Sequence, residues 1–231
     1  MKLELTQELL KDIVEWDIVN WGKVIKRWNE SDCDFEGKKV LDIGGRNGGL
    51  SLFFALKGAR VLCSDYGGVP DAARELHRRY GVSERVEYED IDATAIGRKS
   101  EFDVICFKSV LGGIGSGGNR QRQVQAISEM MRALKPNGAL LFCENLRASP
   151  LHRLARRLFV KWGKTWYYQS LKEIRDLVSE YQVCDCKTVG FFGAFGRSEK
   201  MRHFLGHIDT VFDKFCFPSS RYICSMIVRN R

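Results

Sequence analysis

With only four prolines in 231 residues, and no uncharged apolar run long enough to cross a bilayer, the sequence reads neither as a proline-rich disordered chain nor as a membrane-spanning one. Histidine is also scarce, four in all, so few imidazoles are available for acid–base or metal work. Cysteine is present eight times, yet the spacing of a disulfide framework is missing. Cys63, Cys106 and Cys143 each lie inside an apolar, strand-like run, as buried free thiols do. Cys184-Asp185-Cys186 is followed by no second Cys/His pair that would complete a zinc site, so both sulfurs read as sharing one face of a strand. The opening Met1-Lys2-Leu3-Glu4 is too acidic and too broken for a secretory signal, and together with free thiols it points to a reducing, cytoplasmic compartment.

The charge is +8 and unevenly spread. From residue 145 to 164 six basic residues occur (Arg147, Arg153, Arg156, Arg157, Lys161, Lys164) and no acidic one. A basic balance of this kind admits nucleic acid, an anionic membrane surface or a phosphorylated substrate as partner.

From residue 38 onward, helix and strand patterns alternate. Strands are predicted at 39–43, 60–65, 85–90, 102–107, 139–143, 184–191 and 222–228, the run at 102–107 being apolar but for Asp103, as a strand buried on both faces would be. Helices are predicted at 50–56, 71–80, 121–134 and 199–215. Another opens at Ser170-Leu171-Lys172-Glu173, which has capping-box form, and runs to about residue 181. Lys135-Pro136-Asn137-Gly138 is a breaker cluster that stops the helix at 134. Two amphipathic stretches, 6–15 and 17–29, precede the first strand and carry Trp16, Trp21 and Trp28. They read as packing residues over the sheet edge, or as a helical lid over residues 1–35. Such alternation argues for an α/β fold, a parallel sheet wrapped by helices on both faces.

The densest signal is Val40-Leu41-Asp42-Ile43-Gly44-Gly45-Arg46-Asn47-Gly48-Gly49-Leu50, a strand, a glycine turn and a helix start. That joint brings backbone, not side chains, up to a nucleotide-like ligand. Asp65 ends the next apolar run about twenty residues on, which suits an acid gripping a ribose.

Taken together, these residues resemble the class I S-adenosylmethionine-dependent methyltransferases, from about Val40 to Leu146 for the cofactor half. Asp42, Gly44 and Gly48 match that family's acid-x-Gly-x-Gly-x-Gly motif, with Arg46 in place of the middle glycine. Asp65 matches the ribose acid and Asp92 the acid that reads the adenine amino group, with Ala93 beside the ring. Phe102-Asp103 and Leu134-Lys135-Pro136-Asn137-Gly138 match two later landmarks. The resemblance implies a seven-stranded, mostly parallel Rossmann-like sheet with helices on both faces and an antiparallel last strand. It places residues 36–231 in one methyltransferase domain, with a basic cap at about 145–168 and a helical insert at about 197–215. It implies S-adenosylmethionine as cofactor, bound by Asp42, Gly44, Gly45, Gly48, Asp65, Tyr66, Asp92, Ala93, Phe107 and Lys108, and no metal. Trp16-Asp17, Asn20-Trp21, Glu144-Asn145-Leu146 and the run 162–168 look similar to methyltransferases of bacterial surface-polysaccharide or lipid-linked glycan pathways, so the expected acceptor is a hydroxyl of an anionic small molecule or glycan. A nicotinamide-binding domain is the rival fold; it would carry glycine at Arg46 and lack the later acids.

Methyl transfer is an in-line displacement, so the protein mainly aligns donor and acceptor at roughly 3 Å and excludes water. A hydroxyl acceptor adds the need for a base. Acceptor-side residues are expected after the fourth and fifth strands: Lys108, Ser109, the glycines around Ser116, then Glu144 and His152. His152 is the first choice of base and Glu144 the second. The glycines of 112–118 read as a flexible substrate loop, and His77 as a solvated residue on a surface helix. His203 and His207, four apart, read as exposed or acceptor-facing. Leu151, Leu154, Ala155, Leu158, Phe159 and Trp162 recur at helical spacing opposite the arginines. This amphipathic stretch suits anionic lipid or pyrophosphate, with peripheral contact at the inner membrane face; the preferred reading packs its apolar stripe over the active site and turns the arginines to an anionic acceptor. Nucleic acid is the less favoured partner, since no Asp/Asn-Pro-Pro-aromatic motif and no appended binding module occur. RNA methylation, lipid or quinone methylation, and a non-catalytic cofactor-binding protein remain as alternatives.

Overall fold

Seven strands form a single sheet: β1 (Lys39–Ile43), β2 (Arg60–Asp65), β3 (Val86–Asp90), β4 (Phe102–Lys108), β5 (Leu134–Asn145), β6 (Gln182–Val189) and β7 (Ile223–Arg229). The central ones are buried on both faces, and the edge strands β3 and β6 are largely exposed. The structure, a computed structural model, describes residues 2–31, 33–159 and 165–230; Lys161, Trp162 and Lys164 of the basic segment lie outside them. Strand order is β3-β2-β1-β4-β5-β7-β6. The pairs from β3 through β5 are parallel, while β7 runs antiparallel to both β5 and β6. The expected reversed last strand is therefore present.

Alternation along the strands divides the core in two. Val40, Val61, Val104 and Leu141 face α1 (Gln7–Val14), α2 (Ile18–Glu30), α3 (Gly49–Leu56) and α4 (Asp71–Arg79). Leu41, Leu62, Ile105 and Leu140 face α6 (Arg120–Ala133) and α8 (Leu171–Leu177). Trp21 and Trp28 of α2 are wholly buried in the first layer. Thr6 caps α1 through Leu9 N, and Ser170 caps α8 in the predicted capping box with Glu173.

Three local expectations need correction. The breaker cluster does not delay the fifth strand: β5 begins at Leu134, paired with Phe102, and absorbs Pro136 and Asn137 in an irregularity before Ala139 pairs Val104. His77 is not solvated. It is fully buried, its Nε2 against Gly48 O at 2.9 Å and Nδ1 against Tyr88 Oη at 2.8 Å, because α4 packs directly on the turn after β1. Nor does α7 (Pro150–Phe159) pack its leucines inward. Leu151, Leu154 and Leu158 are 53%, 54% and 65% exposed, while His152 is the residue that turns in. Arg156, expected to face an acceptor, instead donates to Leu146 O and lies over the Tyr168 ring at 3.8 Å. Among the described residues, no helix is long and apolar enough to cross a membrane.

Candidate active site

The C-terminal ends of β1, β2 and β4 open into a cleft with two adjoining chambers. One, of about 350 Å³, is lined by Asp65, Tyr66, Ile91, Asp92 and Ala93, with Val110 and Ile114 opposite. The other, of about 460 Å³, is lined by Ile13, Glu15 and Trp16 from the leader and by Gly45, Leu50, Lys108 and Asn145. Gly44, Arg46, Ser109 and Trp166 border both.

The first chamber is shaped by the turn after β1. Gly44 has φ +66, and a Cβ there would meet Val110 Cγ2 at 2.7 Å; at Gly45 it would meet Cys63 Sγ at 2.8 Å. Only glycine lets the backbone run this close to the strand ends. Arg46 keeps the left-handed conformation, φ 47, that the missing glycine would adopt, at a cost of about 1–2 kcal/mol. Its side chain leaves the turn and reaches Glu15 at 3.8 Å, while its amide donates to Asp65 Oδ2 at 3.1 Å. Tyr66 N donates to Asp65 Oδ1 at 2.9 Å. Asp92 accepts from Thr94 N and Oγ1 at 2.8 and 2.7 Å, and those bonds hold its carboxyl below the usual range.

Asp42 lines the second chamber but is 1% exposed, and its Oδ2 accepts from Ser51 N and Oγ at 3.0 and 2.7 Å. Burial pushes its carboxyl up to about 7. Its visible work is to tie β1 to α3. Gly48, at φ +80, lies over the His77 ring, a step behind the chamber wall. Phe107 borders neither chamber; it is wholly buried and stacked on Phe142 at 4.8 Å. Lys108 is partly buried, donates from Nζ to Val14 O at 3.2 Å, and stands over Trp21 at 5.1 Å. Burial lowers its ammonium below the ordinary lysine value. Beside it, Asn145 Nδ2 donates to Ser109 Oγ at 2.9 Å.

The two residues nominated as base are held elsewhere. His152 is 1% exposed, with Nε2 against Phe191 O at 2.9 Å and Nδ1 against Ser149 Oγ at 2.7 Å, among the rings of Phe191, Phe195 and Tyr222. Burial lowers it to about 4, and it borders neither chamber. Glu144 is wholly buried, and its Oε1 accepts from Val110 N and Leu111 N at 2.5 and 2.6 Å, fixing the start of α5 (Leu111–Ile114). The glycine loop is correspondingly ordered at its start, where Gly112 lies under the Trp166 indole and accepts from Tyr167 N at 2.9 Å. His203 and His207 sit with Nε2 atoms 3.0 Å apart, and Asp209 turns away from them, accepting from Phe192 N and Gly193 N.

Glu15, Trp16, Asn145 and Trp166 are site residues that spacing did not assign to the cofactor or the chemistry. Their signal was present only as an aromatic leader and as neighbours of motif residues.

A glycine turn with carboxylates at the ends of the two adjacent strands, on a sheet of this order, is the Rossmann-like arrangement, with a cleft of the kind that accepts a nucleoside. Residues 41–142 match the family model described as "Methyltransferase domain". Over 118 residues the chain is 34% identical to the ubiquinone biosynthesis O-methyltransferase of Pseudomonas fluorescens (strain SBW25), covering 50% of this chain and 47% of that protein. The chain thus spans about half the length of the curated relatives it matches. Its fold is similar to that of the YcgJ protein of Bacillus subtilis, with TM-score 0.59 at 19% identity over 91% of this chain and 97% of that one. It is also similar to Burkholderia thailandensis 1,6-didemethyltoxoflavin-N1-methyltransferase with bound 1,6-didemethyltoxoflavin and S-adenosylhomocysteine, with TM-score 0.57 at 15% identity over 84% and 72%. Residues 41–142 are thus similar to the methyltransferase-domain family, and the fold is the Rossmann-like one of methyltransferase structures.

S-adenosylmethionine is the cofactor of this class, and the residues present fit it. Asp65 and Asp92 share one chamber with Ala93, and the Gly44-Gly45 backbone leads from it into the next.

Proposed function

We propose that the chain transfers a methyl group from S-adenosylmethionine to a hydroxyl of a ring-bearing small molecule. In this reading Asp65 and Asp92 hold the adenosine, the Gly44-Gly45 turn receives the amino-acid part, and the acceptor enters beside Trp16 and Trp166. The bound cofactor supplies the electrophilic methyl. The observation that carries the reading is Lys108: a partly buried amine whose charge is disfavoured, bordering the acceptor chamber next to Ser109 and Asn145. Deprotonated, it takes the hydroxyl proton; protonated, it steadies the resulting oxyanion. An oxygen acceptor is further supported by the relative named an O-methyltransferase.

The acceptor proposed first is a phenolic hydroxyl on a lipid-tailed ring, which the exposed Leu151, Leu154 and Leu158 of α7 support. With exposed Arg153 and Arg157 on the same helix they suit an anionic lipid surface. The test is a radiolabelled-methyl assay with catechols and prenylated phenols, activated sugars, polyprenyl-linked glycans and transfer RNA as acceptors. Label on the phenols supports the reading. Label only on glycans moves the acceptor class, and label only on RNA overturns the small-molecule reading.

A further inference from the structure

Away from the cleft, at the other edge of the sheet, two thiols and a guanidinium converge. Thr188 stands opposite Cys224 and Cys186 opposite Met226, so Cys186 and Cys224 are diagonal neighbours on one face of the β6–β7 pair. Cys224 is wholly buried, whereas Cys186 is partly exposed. Arg175 Nη2, reaching over from α8, donates to Cys186 Sγ at 3.8 Å. The neighbouring Cys224 thiol and the Arg175 guanidinium outweigh burial and the nearby Asp185 carboxylate, lowering Cys186 to about 6. The same contact, with burial, holds Cys224 well above the ordinary thiol value. A thiolate that water can reach, with a protonated thiol diagonal to it on the same sheet face and a guanidinium on its sulfur, is an arrangement that packing alone does not require.

We propose that Cys186 is an oxidation site for hydroperoxides and that Cys224 is its resolving thiol. The Cys186 thiolate attacks a peroxide oxygen; the O–O bond breaks, the leaving oxygen departs with a proton as water or alcohol, and the sulfur becomes a sulfenic acid, oxidised by two electrons as the peroxide is reduced. The Cys224 sulfur then attacks the sulfenic sulfur. An S–S bond forms, the S–O bond breaks, and the hydroxyl leaves with the Cys224 proton as water. The link would join β6 to β7 at a residue paired with Glu144 of β5, the strand that holds the start of α5.

The test is to treat the full chain with one equivalent of hydrogen peroxide at pH 7, block free thiols and map peptides. The expected product is lighter by about 2 Da, with residues 186 and 224 joined. In Cys224→Ala a sulfenic acid should persist at Cys186 and be captured by dimedone. Arg175→Gln should slow Cys186 oxidation by about tenfold, since less thiolate is present. The proposal is overturned if oxidation falls first on the exposed Cys184, or if Cys186 reacts no faster than Cys184. Should Cys224→Ala fail to fold, the peptide map of the wild type and the rate in Arg175→Gln decide alone.

Discussion

The backbone amide of Arg46 donates to Asp65 Oδ2 at 3.1 Å, so the turn after β1 and the acid that ends β2 are one unit. Removing the carboxylate takes away the proposed ribose contact and also an anchor of the turn. Asp65→Ala is expected to weaken S-adenosylmethionine binding by about 100-fold, in keeping with roughly 1.5–3 kcal/mol for a hydrogen bond to a charged group. Asp65→Asn, which keeps one acceptor oxygen for the turn, should lose about tenfold. Isothermal calorimetry measures both, and equal binding by wild type and the alanine variant would remove Asp65 from the cofactor site.

Lys108 carries the proposed proton transfer, so its replacement should separate chemistry from binding. Lys108→Met is expected to lower kcat by ~10²–10⁴ with a phenolic acceptor, while S-adenosylmethionine affinity changes only a few-fold. Burial lowers the Lys108 ammonium, so the neutral amine gains population below the ordinary lysine range. The wild-type rate should therefore climb with pH through that lowered value, and the methionine variant should lose the climb. An unchanged profile in the variant would assign the proton transfer to another group.

The buried strands and the acids at strand ends were legible from spacing because both are local: the near-continuous apolar run of 102–107 and an acid closing an apolar run need no knowledge of the far side of the molecule. Where α4 and α7 turn their faces was not legible. His77 reads as a polar residue on a charged helix until Gly48 O and Tyr88 Oη are brought to its two nitrogens, across 29 and 11 residues of sequence. His152 reads as a base because it follows the fifth strand; its partner Phe191 O arrives from 39 residues away and makes it a packing residue. The α7 leucines have proper helical spacing, and spacing alone does not say whether an apolar stripe meets core or solvent. The second chamber was half legible for the same reason, since its Glu15, Trp16 and Trp166 come from segments that the motif region does not include.

Gly112 tests the wall between the chambers. A Cβ at this position would lie 2.0 Å from Trp166 Nε1, closer than any side chain tolerates, so Gly112→Ala must displace the indole that borders both chambers. Overpacking of this kind costs about 1–3 kcal/mol, and the melting temperature should fall by about 2–10 °C for a chain of this size. Beyond that loss, KM for the acceptor should rise more than the affinity for S-adenosylmethionine falls. If KM is unchanged while stability drops, Trp166 supports the fold and not the acceptor.

Glu144 gives the fold a pH dependence whose sign follows from its burial. Enclosed in the core, its carboxyl is pushed up to about 7, against an ordinary value near 4.5. Between those two values the folded chain keeps a proton there that the unfolded chain releases, so this residue's contribution is fully present below about 4.5 and is lost as pH rises through about 7. Glu144→Gln keeps an oxygen to accept from Val110 N and Leu111 N but has nothing to ionise. At pH 5 the variant should unfold within a few degrees of wild type; by pH 8 it should have gained on wild type by several degrees, about 2–4 °C for each kcal/mol of ionisation avoided. Comparing the two proteins cancels the other buried groups that titrate nearby, among them Asp17, Asp42 and His152. Thermal melts at half-unit intervals from pH 5 to pH 8 provide the check. A difference that stays flat across that range would mean that Glu144 is ionised in the fold, with its charge carried by the start of α5.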